Sequence, residues 1–201
     1  MAENNSFRLS SSAPIEEFPG DLLSYLSSVD EAECHVTKVL SELNSHQSHW
    51  RPLGRNGWSV CECVNHIALT NEKYLEALEL ASKKAQFGHT PLEPGGFISR
   101  YFLKKTEPPV SLRIKAPASI RPKSQLDKQE VLEHYQSSNR TLRSFIRRTA
   151  DLDLCGVRFK NPLVPGFNFT VATGLLIINA HTRRHLWQVD QLLSSPGFPN
   201  K

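Results

Sequence analysis

Four stretches of the chain repeat apolar residues at intervals of three, four and seven positions, which is the period of an amphipathic helix. They cover about residues 21–43, 59–81, 127–149 and 170–193. Two of them open with capping signals, Ser59 followed by Glu62 and Asp127 followed by Glu130. Four helices of this length, each with one apolar stripe, bury those stripes by packing against one another. We therefore predict an all-α fold, a four-helix bundle with long connections.

The connections between the predicted helices are long and differ in character. Residues 83–125 hold six of the 13 prolines, at positions 91, 94, 108, 109, 117 and 122. So long a stretch rarely lacks structure in a compact domain, and we expect a short helix at about 96–103. Residues 46–57 are predicted to form a loop, and 156–159 a short extended piece. We assign 1–18 to a flexible tail and 19–196 to the bundle domain. Long connections allow a crossover, so the spatial order of the helices stays open.

Composition places the chain among ordinary globular proteins. It has 201 residues, 39% hydrophobic and 22% charged, and a net charge of +4. This charge excess is small and has no long basic run, so we expect no nucleic-acid partner. No apolar run approaches the ~18 residues of a membrane span, and the polar N-terminus lacks the pattern of a signal peptide. We expect a cytoplasmic protein with no membrane partner and four reduced cysteines.

Three histidines stand out by their spacing. His181 and His185 lie one turn apart on one side of the last predicted helix, and His66 has a similar position on the second. All three border an apolar seam instead of lying on the exposed face. Three imidazoles can hold one divalent ion and leave coordination positions open, as in catalytic sites. The plainer alternative is three polar residues that border an ordinary core, and spacing alone leaves both open.

Two segments carry a family resemblance. Residues 57–67 (GWSVCECVNHI) resemble the signature that opens the second helix of the DinB/YfiT-like superfamily of four-helix metalloproteins, and residues 181–188 (HTRRHLWQ) resemble its C-terminal signature. The resemblance implies that His66, His181 and His185 hold one divalent ion, with zinc or nickel expected. Characterised members resemble thiol-dependent transferases and isomerases, which implies a low-molecular-weight thiol as cosubstrate.

Three functions remain open. The leading hypothesis is a metal-dependent enzyme of the thiol S-transferase type that acts on a small-molecule substrate. The second is a metal-dependent hydrolase that uses bound hydroxide. The third is a non-enzymatic, stress-associated metal-binding protein. A homodimer is one option for its assembly.

Either reaction would need further polar residues around the ion. The second ring nitrogen of a metal-bound histidine requires an acceptor, and the candidates are Glu33, Asn139 and Gln188. An anionic thiol or acidic substrate would favour nearby cations, for which Arg183 and Arg184 are the candidates. No choice among these side chains follows from the sequence.

Overall fold

The structure is a computed structural model that describes residues 18–52, 57–110, 115–124 and 126–200. These residues form α1 (Gly20–Glu42), α2 (Ser45–His49), α3 (Val60–Ser82), α4 (Phe97–Thr106), α5 (Lys128–Arg148) and α6 (Val171–Leu193), with an antiparallel hairpin of β1 (Arg158–Lys160) and β2 (Asn168–Thr170). The all-α prediction is confirmed. The predicted tail lies outside the described residues except for Phe18, and the domain limits 19–196 stay a prediction. No helix in the described ranges combines the length and apolarity that a bilayer span needs.

Local capping interactions set where the long helices begin. The Ser59 hydroxyl accepts a hydrogen bond from the Glu62 backbone N–H at 3.3 Å, and the Glu62 carboxylate accepts one from the Ser59 N–H at 2.9 Å. This is the predicted capping box, which satisfies donors that the first helical turn leaves free. The side chains of Asp127 and Thr170 cap α5 and α6 by accepting hydrogen bonds from backbone N–H groups, without the returning bond of a capping box.

The four long helices pack so that α1 and α3 lie diagonally opposite. Both helices contact α5 and α6, and they barely contact each other. The Tyr25 hydroxyl on α1 donates to the Leu175 carbonyl on α6 at 2.7 Å, and His35 lies 3.1 Å from Asp190 further along both helices. Residue numbers thus rise together along this pair, so α1 and α6 are parallel.

Helices α3 and α5 are also parallel, and this determines the path of the chain. Asn65 contacts His134 at 3.1 Å, and Glu79 pairs with Arg148 at the other end. A parallel pair requires a connection that returns along the whole bundle, so the chain between α3 and α5 is a crossover, described at residues 83–110, 115–124 and 126–127. Within this crossover α4 packs on α6, and a 3-10 turn at Ala118–Ile120 packs on α3.

Two sequence-based expectations need correction. The predicted loop 46–57 contains a five-residue helix, α2, whose capping box joins Asn44 and Gln47. In this helix the ring nitrogens of His49 lie 2.8 Å from the Ser45 carbonyl oxygen and 2.7 Å from that of Leu126. So short a helix has no apolar periodicity to reveal it. The predicted extended piece lies slightly later, in β1.

The core has two apolar clusters separated by a polar level. One cluster gathers the early residues of α1 and α6 with the later residues of α3 and α5, and the other gathers the opposite ends. Buried polar side chains lie between them along the chain, including Asn71, Ser138, Asn139 and Thr182. The candidate histidines lie at or near this level.

Candidate metal site

The three candidate histidines converge between α3 and α6. His66, His181 and His185 each offer one ring nitrogen, and these atoms all lie within 4.8 Å of one another. The Nε2 atoms of His181 and His185 are 3.1 Å apart. The ring of His66 has its centroid 5.0 Å from that of His181 and 4.6 Å from that of His185. Two antiparallel helices therefore bring together side chains that are more than a hundred residues apart in sequence.

The crossover fixes the orientation of His66. Its Nδ1 lies 2.7 Å from the backbone carbonyl oxygen of Ile120, in the 3-10 turn. A carbonyl only accepts hydrogen bonds, so the proton of a neutral ring is assigned to Nδ1 and Nε2 keeps its lone pair. This is the tautomer that a ligand through Nε2 needs. Sequence reasoning missed Ile120, because the interaction uses a backbone oxygen that any residue carries.

Trp58 forms an aromatic wall beside the imidazoles. Its ring centroid is 4.4 Å from that of His66, and it stacks on His185 at 5.7 Å with an interplanar angle of 27°. Trp58 belongs to the sequence signature described above but was not among the candidate site residues. Its position just before the Ser59 cap places it over the first turn of α3.

Burial keeps the imidazoles neutral. It lowers the pKa of His66 from 6.5 to about 4, and it lowers the pKa values of His181 and His185 well below 6.5. The positive charge of Arg184 acts in the same direction on all three. Neutral imidazole is the form that donates a lone pair to a metal ion.

Comparison with known families is consistent with this geometry. The family model of the DinB superfamily matches residues 15–189. The chain belongs to the DinB superfamily. No curated protein and no solved structure matches it. The matched range includes both helices that carry the three histidines.

The donor set of this DinB superfamily protein fits a divalent ion. In the described part of the chain, the three histidines form the group of potential ligands whose donor atoms come close enough to share one ion. Cys63, three residues before His66, is not part of this group and lies fully buried in an apolar cluster. The Nδ1 atoms of His181 and His185 are buried without a described hydrogen-bond partner. Imidazole nitrogens suit zinc and nickel.

The predicted acceptors around the histidines occupy different places. Burial lowers the pKa of His185, and an interaction with Gln188 raises this pKa by a smaller amount. Gln188 makes no well-aligned hydrogen bond to Nδ1 of His185. Asn139 donates to Glu33 at 3.0 Å, and Glu33 also pairs with Arg143 at 2.9 Å. The described bonds of Glu33 and Asn139 thus connect α5 to α1, away from α3, and give neither residue a histidine partner.

The two candidate arginines also differ in their relation to the histidines. Arg183 donates through Nε to Glu107 at 3.0 Å and forms a second contact with the same carboxylate, so its charge is compensated. Arg184 is half-buried, and its charge shifts the pKa values of all three histidines. Arg184 is therefore the arginine whose field reaches the site of this DinB superfamily protein.

Proposed function

We propose that this protein is a divalent-metal-dependent enzyme of the thiol S-transferase type. His66, His181 and His185 would hold one ion, zinc or nickel, and a low-molecular-weight thiol would be the cosubstrate of a small-molecule reaction. The observation that carries the proposal is the convergence of three neutral imidazole nitrogens within 4.8 Å in a DinB superfamily chain. Three protein ligands leave coordination positions open for a reactant.

The charges around the site favour an anionic reactant. When bound, a divalent ion acts as a Lewis acid that lowers the pKa of a coordinated thiol. Neutral imidazoles leave the charge of the ion uncompensated. Among the described residues, the side chains whose charges shift the pKa values of the three histidines are Arg184 and the histidines themselves, with no carboxylate. Such surroundings stabilise a thiolate and attract an acidic thiol.

The same observation weighs against the hydrolase alternative. A hydrolase of this kind would use a carboxylate near the ion as general base. The described carboxylates that sequence analysis considered lie elsewhere, since Glu33 pairs with Arg143. A purely structural role would suit a sealed site. His66 and His185 are only 3% and 5% exposed, whereas His181 keeps part of its surface exposed. The homodimer and the cytoplasmic location stay predictions.

Metal analysis and a thiol-conjugation assay test the proposal. Protein purified without a histidine tag should contain about one zinc or nickel ion per chain by mass spectrometry, as expected for one three-ligand site. It should then conjugate an electrophile such as 1-chloro-2,4-dinitrobenzene to one of a panel of thiols (glutathione, bacillithiol, mycothiol and cysteine). A chelator should remove this activity, and the ion should restore it.

A matched pair of variants separates the site from surface histidines. His181→Ala should lose both the ion and the activity, whereas His46→Ala, on the exposed face of α2, should keep both. Wild-type protein that binds no ion would refute the metal site. Protein that binds the ion but consumes none of the thiols would refute the transferase assignment alone.

A further inference from the structure

Buried polar atoms without partners cluster near the histidines. Such atoms are rare in native proteins and call for an explanation. The described residues contain six on side chains, and all lie on two short segments, residues 65–71 of α3 and 181–185 of α6. Four belong to Asn65, Thr70 and Asn71, and the other two are the Nδ1 atoms of His181 and His185. The two histidine-bearing helices therefore concentrate unused hydrogen-bonding capacity beside the candidate site.

Binding an ion would change which nitrogen of each histidine carries a proton. In the structure the Nε2 atoms of His181 and His185 face each other at 3.1 Å, so at least one of them is protonated if they share a hydrogen bond. Two neutral ligands that both bind through Nε2 must instead carry their protons on Nδ1. Each ring then presents a buried N–H donor that requires an acceptor. Ile120 supplies that acceptor for His66, and Gln188 lies beside His185.

The helix register places Thr70 opposite His181. Helices α3 and α6 run antiparallel, with His66 near His185 at one level and Leu78 against Gly174 at another. Between these two contacts α3 advances twelve residues and α6 runs back eleven. Four residues beyond His66 is Thr70, and four before His185 is His181. Thr70 is 1% exposed, and its hydroxyl is among the atoms without a partner.

We propose that Thr70 is the positioning residue for His181. The two groups share no direct hydrogen bond in the structure, so the hydroxyl oxygen accepts the hydrogen bond of the Nδ1–H group through one water molecule and so keeps Nε2 directed at the ion. Thr70 does not contact the ion or the reactants. The inference rests on the proposed metal site, but not on the identity of the reaction.

Cobalt binding by variants of the full-length, untagged protein tests this role. Thr70→Val keeps the shape of the side chain and removes the hydroxyl. It should weaken Co²⁺ affinity by about 10–100-fold, the usual effect of losing such a partner, and should alter the visible absorption bands of the bound Co²⁺. Thr70→Ser, which keeps the hydroxyl, should restore both. The melting temperature of metal-free Thr70→Val should not fall, since the lost hydroxyl had no partner.

Thr182→Val is the matched control. Thr182 is also buried and adjoins His181 in sequence, but its hydroxyl donates to the Ile178 carbonyl at 3.0 Å. The same substitution there should leave Co²⁺ affinity and spectrum unchanged. Equal losses in both valine variants, or no loss in Thr70→Val, would overturn the role of Thr70. A wild-type protein that binds no Co²⁺ would overturn the metal site and this role together. Absence of thiol transfer with normal Co²⁺ results would overturn only the transferase proposal.

Discussion

Acid should destabilise the metal-free protein because three histidines whose pKa values are lowered in the fold must become charged. In the unfolded chain a histidine has its ordinary pKa of 6.5, whereas in the fold burial lowers the pKa of His66 to about 4. Between these values the unfolded state binds a proton that the folded state does not. The free energy of unfolding therefore falls as the pH drops from 6.5 to about 4, and His66 causes no further loss below that.

The expected loss of unfolding free energy is large relative to the stability of a typical domain. A pKa difference of one unit corresponds to about 1.4 kcal/mol, so the shift of His66 amounts to roughly 3 kcal/mol over this window. His181 and His185 are lowered in the same direction and add to the loss. Domains of this size have a total free energy of unfolding of only about 5–15 kcal/mol. The metal-free protein should therefore lose a major part of its stability by about pH 4.5, within the window that these pKa values set.

Urea unfolding followed by far-ultraviolet circular dichroism measures this effect. Curves recorded in chelator between pH 7.5 and 4.5 give the free energy of unfolding at each pH. His66→Asn should flatten the pH dependence by up to about 1.4 kcal/mol per pH unit between 6.5 and 4, because one titrating group is removed. Its amide can still donate to the Ile120 carbonyl in place of Nδ1. His46→Asn, on the exposed face of α2, is the control. Equal slopes for wild type and His66→Asn would refute the reasoning.

Three further predictions concern the helices and the ion. Ser59→Ala should lower the free energy of unfolding by on the order of 1 kcal/mol and should lower the metal content, because Ser59 caps the start of the helix that carries His66. An unchanged melting temperature together with an unchanged metal content would contradict this prediction. His185→Ala should abolish stoichiometric metal binding but keep the helical circular dichroism signal, and collapse of that signal in wild type on chelation at 25 °C would indicate a structural ion instead. Gly174→Ala should destabilise the fold by roughly 1–2 kcal/mol in urea, because overpacking outweighs the gain in helix propensity. The added Cβ would lie 2.6 Å from Leu78 Cδ2 and 2.8 Å from Phe159 Cε1, and a more stable variant would show that both side chains move aside.

The helices could be predicted because their signals are local. Apolar periodicity determines which face is buried, and capping side chains act within three residues of the helix start. For that reason Ser59 and Asp127 mark helix starts in both the sequence and the structure, and the structure adds Thr170 as the cap of α6. The positions of His66, His181 and His185 beside the seams left a metal site and an ordinary core both open, and the family resemblance was what implied that the three side chains meet.

The surroundings of the histidines could not be predicted because they depend on distant contacts. The Ile120 carbonyl reaches His66 across 54 positions in the chain, and Glu107 reaches Arg183 across 76. Neither contact has a periodic or motif signal. The candidates Glu33 and Asn139 were suggested by their places beside the seams. Because α1 packs in parallel with α6 and α3 with α5, these two side chains face each other between α1 and α5 and share a hydrogen bond.

The parallel arrangement of α3 and α5 also explains why the crossover bears on function. Because the chain must return along the bundle, the described parts of this connection pass the level of α6 that carries the histidines. There the crossover supplies the Ile120 carbonyl to His66, the Glu107 carboxylate to Arg183 and the Lys105 carbonyl to Arg184 at 3.4 Å. The helices thus position the candidate ligands, while the crossover sets the tautomer of His66 and pairs the charge of Arg183 with Glu107. Glu107→Gln, which leaves the Ile120 carbonyl in place, should therefore change the charge beside the histidines while their geometry persists.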